Sequence, residues 1–133
     1  MRTKIFINLA VDDVSRSMAF FKALGYSHNP DFSGDGVACI VISEEIYVMV
    51  STHAKFREFA PKDICDTSKC NEALLTLSCE SRQAVDDMVA KAVAAGATTF
   101  EKPTDYGFMY SHSFIDLDGH GWGLFHMSAM PPK

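Results

Sequence analysis

From residue 3 to residue 11 the chain alternates. Ile5, Ile7, Leu9 and Val11 fall on one side, and Phe6, Asn8 and Ala10 on the other. A period of two predicts a strand. The period then changes. Val14, Met18, Phe21 and Leu24 recur at helical spacing, with Ser17 and Lys22 off the stripe. Asp12-Asp13 stands where an N-cap belongs, and Gly25 where the residue after a helix belongs. Residues 26–32, 37–43 and 46–51 read as three further strands, separated by Ser-Gly-Asp-Gly at 33–36 and by Glu44-Glu45. The order is β-α-β-β-β over residues 1–52.

Residues 53–71 carry charges, a proline and few periodic apolar positions, and predict a linker with one short helical turn around Phe56 and Phe59. The order then repeats over residues 72–130. A strand over 72–79 places Ala73, Leu75, Leu77 and Cys79 on one face. Ser81 caps a helix whose stripe is Val85, Met88, Val89, Ala92 and Val93, and Gly96 ends it. Residues 98–100 predict a short strand, 103–107 a loop, and 108–115 with 121–127 a hairpin. The expected class is α+β: one domain of two β-α-β-β-β modules. Each module covers one sheet face with its own helix. The two helix-free faces are then expected to form a cup, in a half-open curved barrel.

Composition and charge narrow the function classes. A net charge of −5 supplies no basic footprint, so nucleic acid is not an expected partner. No apolar run reaches the roughly 20 residues of a membrane helix, so no membrane is expected either. The first residues alternate like a strand and carry no signal-peptide core, and a cytoplasmic location is the expectation. Cys39, Cys65, Cys70 and Cys79 lack zinc-site spacing and are expected as free thiols.

The most informative stretch is 113–125, Ser-Phe-Ile-Asp-Leu-Asp-Gly-His-Gly-Trp-Gly-Leu-Phe. Two alternating apolar runs flank Asp-Leu-Asp-Gly, which is hairpin chemistry. The pattern F-x-D-x-D-G-H-x-W-x-x-F resembles the last hairpin of the vicinal-oxygen-chelate superfamily, which includes glyoxalase I, extradiol dioxygenases and bleomycin-resistance proteins. Residues 8–26, with L-A-V-D-D followed by R-S-M-A-F-F and L-G, resemble the family's first strand and helix. Ala92-x-x-Ala-Gly-Ala97 resembles the end of its second helix. Together these matches span nearly the whole chain.

The resemblance implies the glyoxalase/bleomycin-resistance/dioxygenase fold, a homodimer, and a site inside the cup. Metal-dependent members place His or Gln on the first strand of each module and Glu on the last, around a divalent ion that acts as a Lewis acid. Carried over, those positions fall at Phe6, near Met49, at Leu74 and at Gly123. None is a hard donor. No cofactor is therefore expected. The cup face read from the register holds Phe6, Asn8, Tyr47, Met49, Leu74, Thr76, Ser78, Gly123 and Phe125. The seventh strand adds either Tyr110 with His112 or Ser111 with Ser113. His112 is the one candidate acid or base near the cup. Trp122 is expected on the helix-covered face, in the core.

The expected function is binding of a small, partly apolar molecule in the cup without metal. One alternative is a divergent metal-dependent lyase, isomerase or dioxygenase with a relocated site or with His112. Another is a scaffold domain whose cup is filled by its own side chains.

Overall fold

The computed structural model describes residues 2–128. The expected end of the second module at residue 130 lies outside them. The chain divides into two compact units, Met1–Cys65 and Asp66–Lys133. The stretch expected as a linker is shared between them.

In the first unit β1 (Ile5–Val11) is followed by α1 (Val14–Ala23), β2 (Ser27–Gly34), β3 (Val37–Val41), β4 (Ile46–Thr52) and the short α2 (His53–Arg57). The sheet order is β1-β4-β3-β2, with β1 parallel to β4 and the other pairs antiparallel. Asp13 caps α1 by accepting the Arg16 amide, and Thr52 caps α2 by accepting that of Lys55. After α1, Gly25 takes φ +103°, which only a residue without Cβ adopts cheaply. α1 packs on β2, β3 and β4. The core is Phe20, Phe21 and Leu24 with Leu9, Val11, Ile40, Val48 and Val50, all nearly inaccessible. Each such side chain contributes about 1.5–3 kcal/mol by burial.

The helix is rotated from the expected stripe. Ser17 is buried (3% exposed), while Val14 and Met18 lie half-buried at its margins. The positions Ser17, Phe20, Phe21 and Leu24 form the contact row, and the small serine lets the backbone approach the sheet.

In the second unit β5 (Leu74–Ser78) is followed by α3 (Arg82–Ala94), β6 (Thr104–Asp105), β7 (Met109–Ile115) and β8 (Gly121–Met127), in sheet order β5-β8-β7-β6. β5 runs parallel to β8. Ser81 caps α3 through the Ala84 amide. Val85, Val89 and Ala92 are buried with Phe114, Trp122 and Leu124. Val93, expected in the stripe, is 46% exposed, because Val89 and Ala92 already centre the helix on the sheet. Trp122 is core: 2% exposed, stacked on Phe114, with Nε1 donating to Asp116 Oδ2 at 2.9 Å.

The outer strand differs from expectation. Residues 98–100 form no strand; Thr98 makes only an isolated bridge to Ile115, and Phe100 is 62% exposed. The paired residues are Thr104 and Asp105, inside the expected loop, against Ser111 and Tyr110. Pro103 lacks an amide donor, so pairing resumes only after it. Arg82 then fixes Asp105 with two hydrogen bonds, at 2.7 and 3.1 Å.

Candidate functional site

The registers assign the paired strand residues to the two faces of each sheet. In the second unit Leu74, Thr76 and Ser78 pair with Gly121, Gly123 and Phe125. Those pair in turn with Ile115, Ser113 and Ser111, and Met127 pairs with Met109. This is the face away from α3. Tyr110, His112 and Phe114 lie on the opposite face with Trp122 and Leu124.

The seventh-strand question is thereby answered. Tyr110 and His112, expected as candidate ligand contacts, do not point to the helix-free face. Tyr110 donates to Asp86 on α3 at 2.6 Å, which raises its pKa, and Arg82 lies over its ring. The His112 ring donates Nε2–H to the carbonyl of Glu101 at 3.0 Å. An imidazole committed to a backbone carbonyl is a structural donor.

Ser111 and Ser113 stand on the helix-free face, and His112 still borders the hollow between its two strand neighbours. The two serines and Thr76 line a concavity of about 340 Å³ on the helix-free face of the second sheet. Gly123 is its floor, between Thr76 and Ser113 in register. A Cβ at Gly123 would sit 3.1 Å from Thr76 Oγ1, so the missing side chain is what leaves this space. Met109, Phe125 and Met127 form the apolar wall. Glu101, which the sequence did not single out, completes the lining. Ser113 Oγ donates to Glu101 Oε1 at 2.9 Å. Glu101 stands there because the outer strand bows away from β7 between Thr98 and Thr104. Side chains of β7 meet Glu101 where a strand backbone would otherwise pair.

In the first unit Phe6, Asn8 and Ala10 share the helix-free face with Tyr47, Met49 and Ser51. Phe6 stacks on Tyr47 with centroids 4.8 Å apart and remains 47% exposed. Asn8 is exposed, and its Nδ2 donates to the Phe6 carbonyl. Leu74, on the edge strand β5, is 71% exposed. The expected residues thus form two groups, Phe6, Asn8 and Met49 in one unit, Leu74, Thr76, Gly123 and Phe125 in the other.

The hairpin turn is more than a connection. Asp116 Oδ1 accepts the amides of Asp118 (2.9 Å) and His120 (3.0 Å), while Oδ2 accepts Trp122. Burial nevertheless pushes the Asp116 carboxyl up, and the His120 charge and these hydrogen bonds oppose that rise. His120, 4% exposed, has Nδ1 at 2.6 Å from Glu72 Oε1. Thr67 donates its hydroxyl to the Asp118 carbonyl, which ties 66–72 to the turn.

Comparison with known proteins adds likenesses in sequence and fold. A family model for the N-terminal region of bleomycin resistance-like proteins matches residues 3–43. A hypothetical protein of S. aureus, SA1046, is 27% identical, with TM-score 0.79 and coverage of 95% of this chain and 94% of that one. A glyoxalase/bleomycin resistance protein/dioxygenase family enzyme of Burkholderia phytofirmans is 17% identical, with TM-score 0.76 and coverage of 92% and 96%. A fosfomycin resistance protein of Listeria monocytogenes is 18% identical, with TM-score 0.67 and coverage of 99% and 96%. The chain has the fold of the glyoxalase/bleomycin-resistance/dioxygenase proteins, and its first strands and helix match the bleomycin resistance-like N-terminal region. No curated protein matches it in sequence.

The divalent ion of metal-dependent vicinal-oxygen-chelate proteins does not fit the residues present. The four corresponding positions carry two hydrocarbon side chains, a thioether and a glycine. Among the described residues no three His, Cys, Asp or Glu side chains converge as a metal site. His112 and His126 are each at 3.0 Å from a backbone carbonyl, of Glu101 and Cys79. No helix among the described residues is long and apolar enough to cross a membrane.

Proposed function

We propose that this vicinal-oxygen-chelate protein is a small-molecule binder that works without a metal, and that its ligand contacts the concavity over Gly123. The observation that carries the reading is that concavity. It combines about 340 Å³ of space, three hydroxyls, and an apolar wall of two methionines and a phenylalanine. A mostly apolar lining with a few placed polar groups is the usual make-up of a ligand site. The open volume weighs against a scaffold with a filled cup, and the engagement of His112 weighs against its use as an acid or base.

A homodimer is part of this proposal. Phe6 on edge strand β1 and Leu74 on edge strand β5 leave large apolar side chains exposed, as surfaces reserved for a partner do.

The test is a small-molecule screen by thermal shift, comparing wild type with Gly123→Leu. Hits are expected to stabilise the wild type by binding linkage and to lose that effect when the leucine fills the floor. Hits that stabilise both proteins equally would refute the assignment. Elemental analysis is expected to find no stoichiometric transition metal. About one equivalent, lost to chelator together with several degrees of melting temperature, would overturn the metal-free reading.

A further inference from the structure

We infer that the molecule taken up over Gly123 is an organic cation, a protonated or quaternary amine carried on an apolar body. This rests on the preceding reading of the concavity as a ligand site and specifies its chemistry.

Glu101 sets the charge of the lining. Its carboxylate is the one acidic side chain in the lining, which includes no lysine or arginine; the lining's one histidine, His112, spends Nε2–H on the Glu101 carbonyl. Ser113 holds Oε1 at 2.9 Å, and Glu101 takes part in no ion pair among the described residues. The carboxylate is therefore oriented toward the concavity by a donor that cancels none of its charge. An anionic ligand would meet that charge without a counter-ion.

The remaining lining agrees. Serine hydroxyls accept as readily as they donate, so Ser111 can turn a lone pair toward an ammonium N–H. The ring of Phe125 offers a face that attracts cations, and the methionine sulfurs of Met109 and Met127 are polarisable and pack against irregular apolar bodies. The chain's charge of −5 favours approach of a cation over an anion.

The test uses three probes of matched shape: 4-phenylbutylamine, 4-phenylbutanol and 4-phenylbutyrate. Each is titrated into the full chain, following the amide resonances of Ser111, Ser113 and Gly123. The amine is expected to bind tightest and the carboxylate weakest. Glu101→Gln keeps the side chain's shape and its acceptor for Ser113. It is expected to weaken the amine about three- to tenfold, the range for a partly exposed charge contact, and to leave the alcohol unchanged. Equal binding of amine and alcohol, tighter binding of the carboxylate, or an unchanged amine affinity in Glu101→Gln would overturn the inference while leaving a ligand site in place. Absence of any shift with all three probes would remove the site itself.

Discussion

The two modules share an element order but treat their helix-free faces differently. Their helix-covered faces are built alike: a side-chain N-cap at Asp13 or Ser81, a left-handed glycine at Gly25 or Gly96, and a buried aromatic or aliphatic row beneath. The outer strands diverge. In the first module β2 runs eight residues and carries an irregularity between Asn29 and Gly34. Ser33 mends it: its hydroxyl donates to the Asn29 carbonyl at 2.6 Å and accepts the Cys39 amide at 3.0 Å. Cys39, Ala10 and Ser51 on that face are buried. In the second module β6 has two residues, the bow before it leaves Glu101 at a lip, and Gly123 leaves a hollow. The contrast teaches that the fold is held by the helix-covered faces. The other face buries Ala10, Cys39 and Ser51 in one copy and is hollowed over Gly123 in the other.

The largest expected effect lies in the second module's turn. Asp116→Ala removes the acceptor for two amides and the Trp122 indole. Stranding such donors is expected to cost about 2–4 kcal/mol. Denaturation followed by the fluorescence of Trp122, the one tryptophan, checks it. A loss below about 1 kcal/mol would show that the turn does not anchor the module.

Gly123→Glu comes next and tests whether the open face tolerates charge. The new carboxylate lies in a partly apolar hollow near Glu101, so its folded pKa rises above the unfolded value. The penalty is then absent well below the unfolded pKa, grows as pH rises through the interval between the two values, and is constant above it. At neutral pH about 1–3 kcal/mol is expected, with no gain of metal. Unfolding curves at acidic and neutral pH measure the difference. Equal destabilisation at both would mean that sterics against Thr76, and not charge, dominate.

A smaller contrast pairs two serines. Ser33→Ala strands the amide of buried Cys39 and is expected to cost about 1–2 kcal/mol, whereas Ser113→Ala releases an exposed carboxylate and is expected to stay within about 0.5 kcal/mol. Similar losses would erase the distinction between a mended and an open face.

The smallest effect concerns the short outer strand. The Arg82 guanidinium and the Gly107 amide hold the Asp105 carboxyl down at about 2. A depressed pKa gives stability that is present above the unfolded value and lost as pH falls through the folded one. Both groups are exposed, so the change in stability is small and the titration is the better readout. In Arg82→Ala the Asp105 carboxyl resonance is expected to titrate closer to the ordinary aspartate range.

Much of this architecture was legible in the chain because caps, terminal glycines and alternation are local chemistry. Asp13, Ser81, Gly25 and Gly96 each act within a few residues. What was not legible depends on distant partners. β6 exists because Arg82 on α3 grips Asp105, and nothing near Thr104 announces it. Glu101 reaches the site through Ser113, after a bow that no periodicity marks. The orientation of β7 could have been found. Phe114 pairs with Trp122 across the turn, and a core reading of Trp122 already assigns Tyr110 and His112 to the helix side. The burial of Ser17 had no such signal, since a small polar residue under a helix reads as surface.

The central claim is that a ligand is taken up over Gly123, on the helix-free face of the second module. The most direct measurement is an amide shift map of the whole chain against a fragment mixture. The account predicts shifts concentrated at Thr76, Ser111, Ser113 and Gly123, abolished in Gly123→Leu. Shifts centred on Cys39, Ala10 and Ser51, with Gly123 unmoved, would contradict it.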